Sequence, residues 1–132
     1  MPVFYKVIQR PEPGVTGGGT KKWYASTSQD GEVDLDDLIH RVEKRSTMSG
    51  GDIKGVVYAL MDVAIDELSQ GRIVRMGELG DFRISISSMG HDTEEKVSAA
   101  SIKRAKINYR SSRGMKKMLN NLVFRKRNSE NS

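Results

Sequence analysis

The chain contains no cysteine. That absence removes disulfides, thiolate metal ligands and a cysteine nucleophile, and it suits a reducing compartment. Proline is scarce too: Pro2, Pro11 and Pro13 are all of it, so no proline ring can stiffen a turn beyond residue 13. Histidine is limited to His40 and His91, and neither lies at metal-ligand spacing from a second histidine. His91 adjoins Asp92, but neighbours in a Gly-containing loop read as solvated surface. The start, MPVFYKVIQRP, has too short an apolar stretch for a secretory leader, and no apolar run approaches the length of a membrane span. The expectation is a soluble, cytoplasmic, non-catalytic protein with no metal, no cofactor, no small-molecule substrate and no membrane partner. Its 132 residues fit one domain with a modest core, to which a dimer interface would add much of the burial.

What the chain does have is positive charge in one place. The formal net charge is +5, yet residues 101–132 hold ten Lys or Arg against Glu130 alone, while residues 1–100 hold twelve bases against sixteen acids. A basic block of that kind meets a polyanion by releasing its condensed counterions.

Residues 3–8 (VFYKVI) and 22–27 (KWYAST) alternate as strands, and the loop between them carries Gly17, Gly18 and Gly19. That glycine cluster lacks the Gly-Lys-Ser/Thr ending of a phosphate loop, because the order is Gly19, Thr20, Lys21. Asp34 is placed to cap a first helix, with Asp36 and Asp37 in its first turn and Leu35, Leu38, Ile39 and Val42 on one face. Ser49 and Asp52 open a second helix that reaches about Gln70, with Gly71 placed to stop it. Its apolar stripe, from Ile53 through Val56, Leu60 and Met61 to Leu68, is wide: a single partner helix and one sheet face could cover it, and so could a second copy of the same helix across a two-fold axis. A hairpin pairing residues 72–76 with 80–87 follows, with Phe82, Ile84 and Ile86 on its core face and Arg83 and Ser85 on the other. Residues 88–101 read as a connection bearing Asp92, Glu94 and Glu95. Ile102–Arg110 is a basic strand on which Arg104, Lys106 and Arg110 share a face. Ser112 is placed to cap a last helix with Met115, Met118, Leu119 and Leu122 on its apolar side, and the end of the chain frays.

The run from Val74 to Phe82 (VRMGELGDF) resembles the signature of the bacterial HU and integration host factor family of histone-like DNA-binding proteins, in which a strand enters a Gly-Phe-Gly-Asn-Phe turn. Leu79 stands for the first Phe, Gly80 and Phe82 match, Asp81 stands for Asn, and Glu78 replaces the first Gly. The run Tyr109-Arg110-Ser111-Ser112-Arg113 resembles the family's Phe-Lys-Pro-Gly-Lys entry to the last helix. The resemblance covers residues 33–123, with residues 1–32 outside the usual core, as in a longer HU-like subgroup with an N-terminal extension.

The resemblance implies an α+β, HU/IHF-like fold: two helices, an antiparallel sheet with a shortened arm and a C-terminal helix, plus the extra N-terminal strand pair. It also implies an intertwined homodimer. The expected organisation is an N-terminal β extension at 1–32, an HU-like DNA-binding domain at 33–124 and a basic polar tail at 125–132. The implied function is weakly sequence-selective binding of double-stranded DNA along its phosphate backbone and minor groove, organising DNA in the nucleoid. Arg83, Lys103, Arg104, Lys106, Arg110, Arg113, Lys116 and Lys117 are the candidate DNA-binding residues. An alternative stays open, an HU-like dimeric scaffold or protein-interaction module with weak or no DNA binding. The acids at 92–95 and the lack of an arm proline support that alternative.

Overall fold

The computed structural model describes residues 2–128. These divide into two units, one formed by residues 2–34 with 120–128 and the other by residues 35–119.

In the larger unit, helix α1 (Leu35–Lys44) begins with Asp36 and Asp37 and ends with Arg41 and Lys44, so charge complements the helix dipole at both ends. Helix α2 (Gly50–Ser69) starts where the Ser49 hydroxyl accepts the Asp52 amide at 3.2 Å. One side of the expected capping box is thus in place. Ile39 of α1 and Ile53 of α2 are the buried hydrophobic residues of this helix pair.

After α2 the expected hairpin is cut short. The Arg72 amide still donates to the Glu67 carbonyl at 3.2 Å at the end of α2, its side chain meets the Glu67 carboxylate at 2.6 Å, and β3 is Val74–Arg75 only. A single 3-10 turn at Gly77–Leu79 leads into β4 (Asp81–Ser88). Val74 pairs with Phe82 and Arg75 with Asp81. The longer partner of β4 is β5 (Ile102–Arg110), so the sheet order is β3-β4-β5.

The connection from β4 to β5 is more ordered than its sequence suggests. It holds 3-10 turns at Glu94–Lys96 and Ala99–Ser101. Ser101 is buried, its hydroxyl lies 2.9 Å from His91 Nε2, and its carbonyl accepts the Met89 amide at 2.8 Å. His91 therefore fastens this loop, where the sequence reads it as solvated. Helix α3 (Arg113–Asn120) starts at Ser112, whose hydroxyl accepts the Met115 amide at 3.0 Å and donates to the Glu78 carbonyl at 2.7 Å. Serine at this position does the work of a cap and also ties the hairpin turn to the helix.

In the smaller unit, β1 (Val3–Arg10) and β2 (Lys22–Ser28) pair antiparallel as expected. The expected tail is corrected in part: Phe124–Lys126 forms β6, parallel to β1 with Val3 opposite Phe124. The amide of Arg127 donates to the Tyr5 carbonyl at 2.8 Å. The Arg127 guanidinium lies over the Phe4 ring at 4.5 Å, which ties this segment to β1 by a side chain as well. The rest of the expected tail, residues 129–132, lies outside the described residues.

A second correction concerns the core. Phe82, Ile84 and Ile86 do share a face, but Ile84 and Ile86 are 40% and 58% exposed. On α2, Val56, Leu60, Val63 and Ile65 are exposed as well. The accessible surface is 11148 Å². A folded monomer of 14.7 kDa exposes about 6,900 Å², and two separate bodies of these sizes roughly 8,200 Å². These apolar faces are formed but left exposed.

Candidate nucleic-acid interface

The antiparallel register of β4 and β5 decides which bases stand together. Opposed residues point to the same side of a sheet. The pairs Phe82–Tyr109, Ile84–Ile107 and Ile86–Ala105 make one side apolar. The pairs Asp81–Arg110, Arg83–Asn108, Ser85–Lys106 and Ser87–Arg104 make the other side polar and basic. Arg83, Arg104, Lys106 and Arg110 therefore form one cationic face. The ladder then shifts, since Ser88 pairs with Ile102, and Lys103 is the extra residue of this β-bulge.

The signature glycine holds this arrangement in place. Gly80 has φ of 113°, and a Cβ there would sit 2.5 Å from the Arg110 carbonyl oxygen and 2.6 Å from the Tyr109 ring. No other residue tolerates both that backbone angle and that approach. The Tyr109 hydroxyl donates to the Leu79 carbonyl at 2.5 Å, and the Tyr109 and Phe82 rings meet at 5.4 Å between centroids. The Glu78 carboxylate lies against Gly114 in the first turn of α3, where the helix dipole favours an anion.

The bases on this face are electrostatically available. Among the described residues, Arg83, Arg104, Lys106 and Arg110 form no ion pair, nor do Lys103, Arg113 and Lys116. By contrast, Arg72, Arg75, Lys22, Lys54 and Arg127 are each within 4.0 Å of a carboxylate. Asp81 is the acid at the end of the cationic face, and its carboxylate is held by Arg75 at 2.9 Å. Ser87, Arg104 and Lys106 line a concavity of about 260 Å³. The hydroxyls of Ser85 and Ser87 are buried on the same side with no hydrogen-bond partner, which is costly unless something polar meets them. Ser87 and Asn108 are the polar members of this face that a search for bases alone passes over, though the period-two alternation contains them.

On α3, Arg113, Lys116 and Lys117 share one side by helical spacing. The sequence-predicted residues thus fall into three groups: four on the sheet face, three on the helix, and Lys103 at the bulge. Asp92, Glu94 and Glu95 lie in the connection beyond the Ser87 end of the strands. On the apolar side, Met61, Ile65, Leu68, Val74, Met76 and Phe82 are among the residues lining a cavity of about 330 Å³ between α2 and the sheet.

A family model described as an HU domain fused to wHTH, Ig, or Glycine-rich motif matches residues 1–126. The chain belongs to this HU family. The matched range includes residues 1–32, which the signature resemblance places outside the HU core. Comparison with curated proteins found no match. Among solved structures, a candidate bacterial DNA-binding protein from Bacteroides vulgatus superposes with a TM-score of 0.65 at 8% sequence identity, over 96% of this chain and 50% of that one. This HU-family chain therefore spans half the length of the solved chain, and at that identity the likeness shows the fold. The family and the mixed α+β architecture together suggest DNA-binding of the HU type.

Proposed function

We propose that this HU-family protein is a non-catalytic, histone-like protein of the cytoplasm that binds duplex DNA as a homodimer and helps organise the nucleoid. The observation that carries the reading is the single face formed by Arg83, Arg104, Lys106 and Arg110, unpaired and flanked by Ser85, Ser87 and Asn108. Such a face suits phosphate: guanidinium and ammonium groups supply charge, and the exposed Asn108 amide supplies a neutral donor. Interactions of this kind give affinity but little sequence information, so selectivity is weak. Lys103 and the α3 bases Arg113, Lys116 and Lys117 extend the surface along the backbone and toward the minor groove. Residues 1–32 mark the chain as one of the longer HU-like subgroup, and the DNA-binding domain expected at 33–124 centres on the unit of residues 35–119, Phe124 having joined the N-terminal sheet.

Dimerisation is supported by the exposed apolar side chains of α2 (Val56, Leu60, Val63, Ile65) and of β4–β5 (Ile84, Ile86, Ile107), since apolar surface gathered on one element marks an interaction site. The compact connection in place of a long arm, with no proline beyond Pro13, argues against kinking by an inserted ring. The acids of that connection favour a second reading, an HU-like scaffold dimer with weak DNA affinity. A mobility-shift titration against unrelated duplexes at several salt concentrations separates the two. Affinity that falls steeply with salt and varies little with sequence supports the DNA-binding reading. Absence of binding at low salt rejects it.

A further inference from the structure

Five of the chain's eight aromatic residues, Phe4, Tyr5, Trp23, Tyr24 and Phe124, lie on the three strands of the N-terminal sheet, and those strands carry no acid. Register sorts them. Arg10 stands over the Tyr24 ring at 4.6 Å and Arg127 over the Phe4 ring at 4.5 Å, so one face of the sheet has its aromatics already capped by guanidinium. The other face carries Tyr5, Val7, Trp23 and Phe124. There Trp23 is 67% exposed and Phe124 63% exposed, so their rings are bare. Lys126 shares this face two positions from Phe124, and Lys21 immediately precedes the strand that carries Trp23.

We propose that this face is a second nucleic-acid surface, one that takes single-stranded polynucleotide by stacking bases on Trp23 and Phe124. Trp23 is opposite Gln9 and Phe124 opposite Val3. The two rings therefore stand about 20 Å apart along β1 and about two strand spacings across it. Tyr5 and Val7 lie on the diagonal between them. Bare rings separated in this way, each with a lysine close by, match the chemistry of a strand whose bases stack while its phosphates meet ammonium groups. Duplex DNA cannot use the rings, because its bases are already stacked on each other. A second copy of the chain is a poorer occupant: the face offers its lysines no carboxylate, so self-docking would desolvate or oppose like charges. The inference is independent of the duplex site on β4–β5.

Trp23 is the chain's one tryptophan, so intrinsic fluorescence of the full chain reports on this face alone. Short oligothymidylate or oligouridylate is expected to quench that emission, the response to each telling DNA from RNA, while a mixed-sequence duplex hairpin is not. Trp23→Ala and Phe124→Ala, both at exposed positions, should each weaken single-strand binding measured by anisotropy by about fivefold to a hundredfold. Both should leave duplex binding as it was, and Trp23→Phe should retain most of the single-strand affinity. Unchanged emission at saturating concentrations of both oligonucleotides overturns the proposal. So does concentration-dependent self-association that Trp23→Ala abolishes, which would give the face to a second copy. Loss of duplex binding in an Arg104, Lys106 and Arg110 triple alanine variant tests the other site, and quenching by single strands should survive it.

Discussion

In the N-terminal sheet, Arg127 lies over Phe4 and 3.3 Å from Asp30, Arg10 lies over Tyr24, and Lys22 is 2.6 Å from Glu12. In the β3-β4-β5 sheet, four bases share a face and none has a carboxylate partner, since Asp81 is engaged by Arg75. Both sheets have three strands and both are basic. The first spends several of its cations on its own rings and acids, whereas the second leaves them open to solvent. A count of lysines and arginines cannot tell these cases apart. Register can, together with the position of the nearest carboxylate. Both sheets leave apolar surface bare, but of different kinds: aromatic rings at Trp23 and Phe124 on the first, aliphatic side chains at Ile84, Ile86 and Ile107 on the second.

The largest test of this contrast is to place a charge in the uncovered apolar surface. Leu60→Asp or Met61→Asp should dissociate or unfold the protein, because an unpaired carboxylate in a buried interface costs several kcal/mol. Analytical ultracentrifugation reads the outcome, and a wild-type chain that sediments as a monomer at micromolar concentration would count against the dimer. Next, changing Arg104, Lys106 and Arg110 to alanine should weaken binding alike for unrelated duplexes. It should also flatten the logarithmic salt slope by up to about 0.9 for each phosphate that the variant no longer neutralises. A wild-type salt slope in that variant would place the duplex site elsewhere.

Gly80→Ala should lower stability in urea by about 1–3 kcal/mol, since the residue must keep a positive φ beside the Arg110 carbonyl. An unaltered midpoint would show that the turn has another acceptable form. Arg127→Ala, which acts only on the cations used internally, should cost about 1–2 kcal/mol by uncovering the Phe4 ring, with duplex affinity unchanged. The smallest effect is expected from neutralising Asp92, Glu94 and Glu95 to Asn and Gln. Binding should tighten slightly, and more at low salt, where like charges are less screened. Equal affinity at every salt concentration would mean that the connection faces away from DNA.

Elements set by local chemistry were legible from the residues alone. The caps at Ser49 and Ser112, the acidic first turn of α1 and the alternation of β5 are decided within a few positions, and each was found where its sequence indicates. The signature around Gly80 was legible for the same reason. Features decided at a distance were not. The strand at Phe124–Lys126 depends on a parallel partner near the other end of the sequence, and three residues of it carry too little pattern to stand out from a basic tail. The Arg72 amide is bonded to the Glu67 carbonyl at the end of α2 and not to the sheet, and the alternation of residues 72–76 does not reveal that. Ile84 and Ile86 carry the period of a core face yet stay exposed, because alternation along a strand sets which side a residue takes and not whether anything packs on that side. The candidate site was legible as a parity, Arg104, Lys106 and Arg110, but its serines and the release of its bases from ion pairing needed the register.

The parallel pairing of β1 with β6 also bears on the order in which the protein assembles. Val3 and Phe124 are opposite one another in the sheet, yet a ribosome makes one long before the other. During synthesis β1 and β2 can form only a two-stranded ribbon, which is marginal alone. The third strand arrives after the helices and the β4–β5 ladder have been made, and closing so long a loop costs less once that intervening chain is folded. Residues 35–119 should therefore acquire protection from hydrogen exchange first, and the amide of Arg127, bonded to Tyr5, should be among the last to gain it.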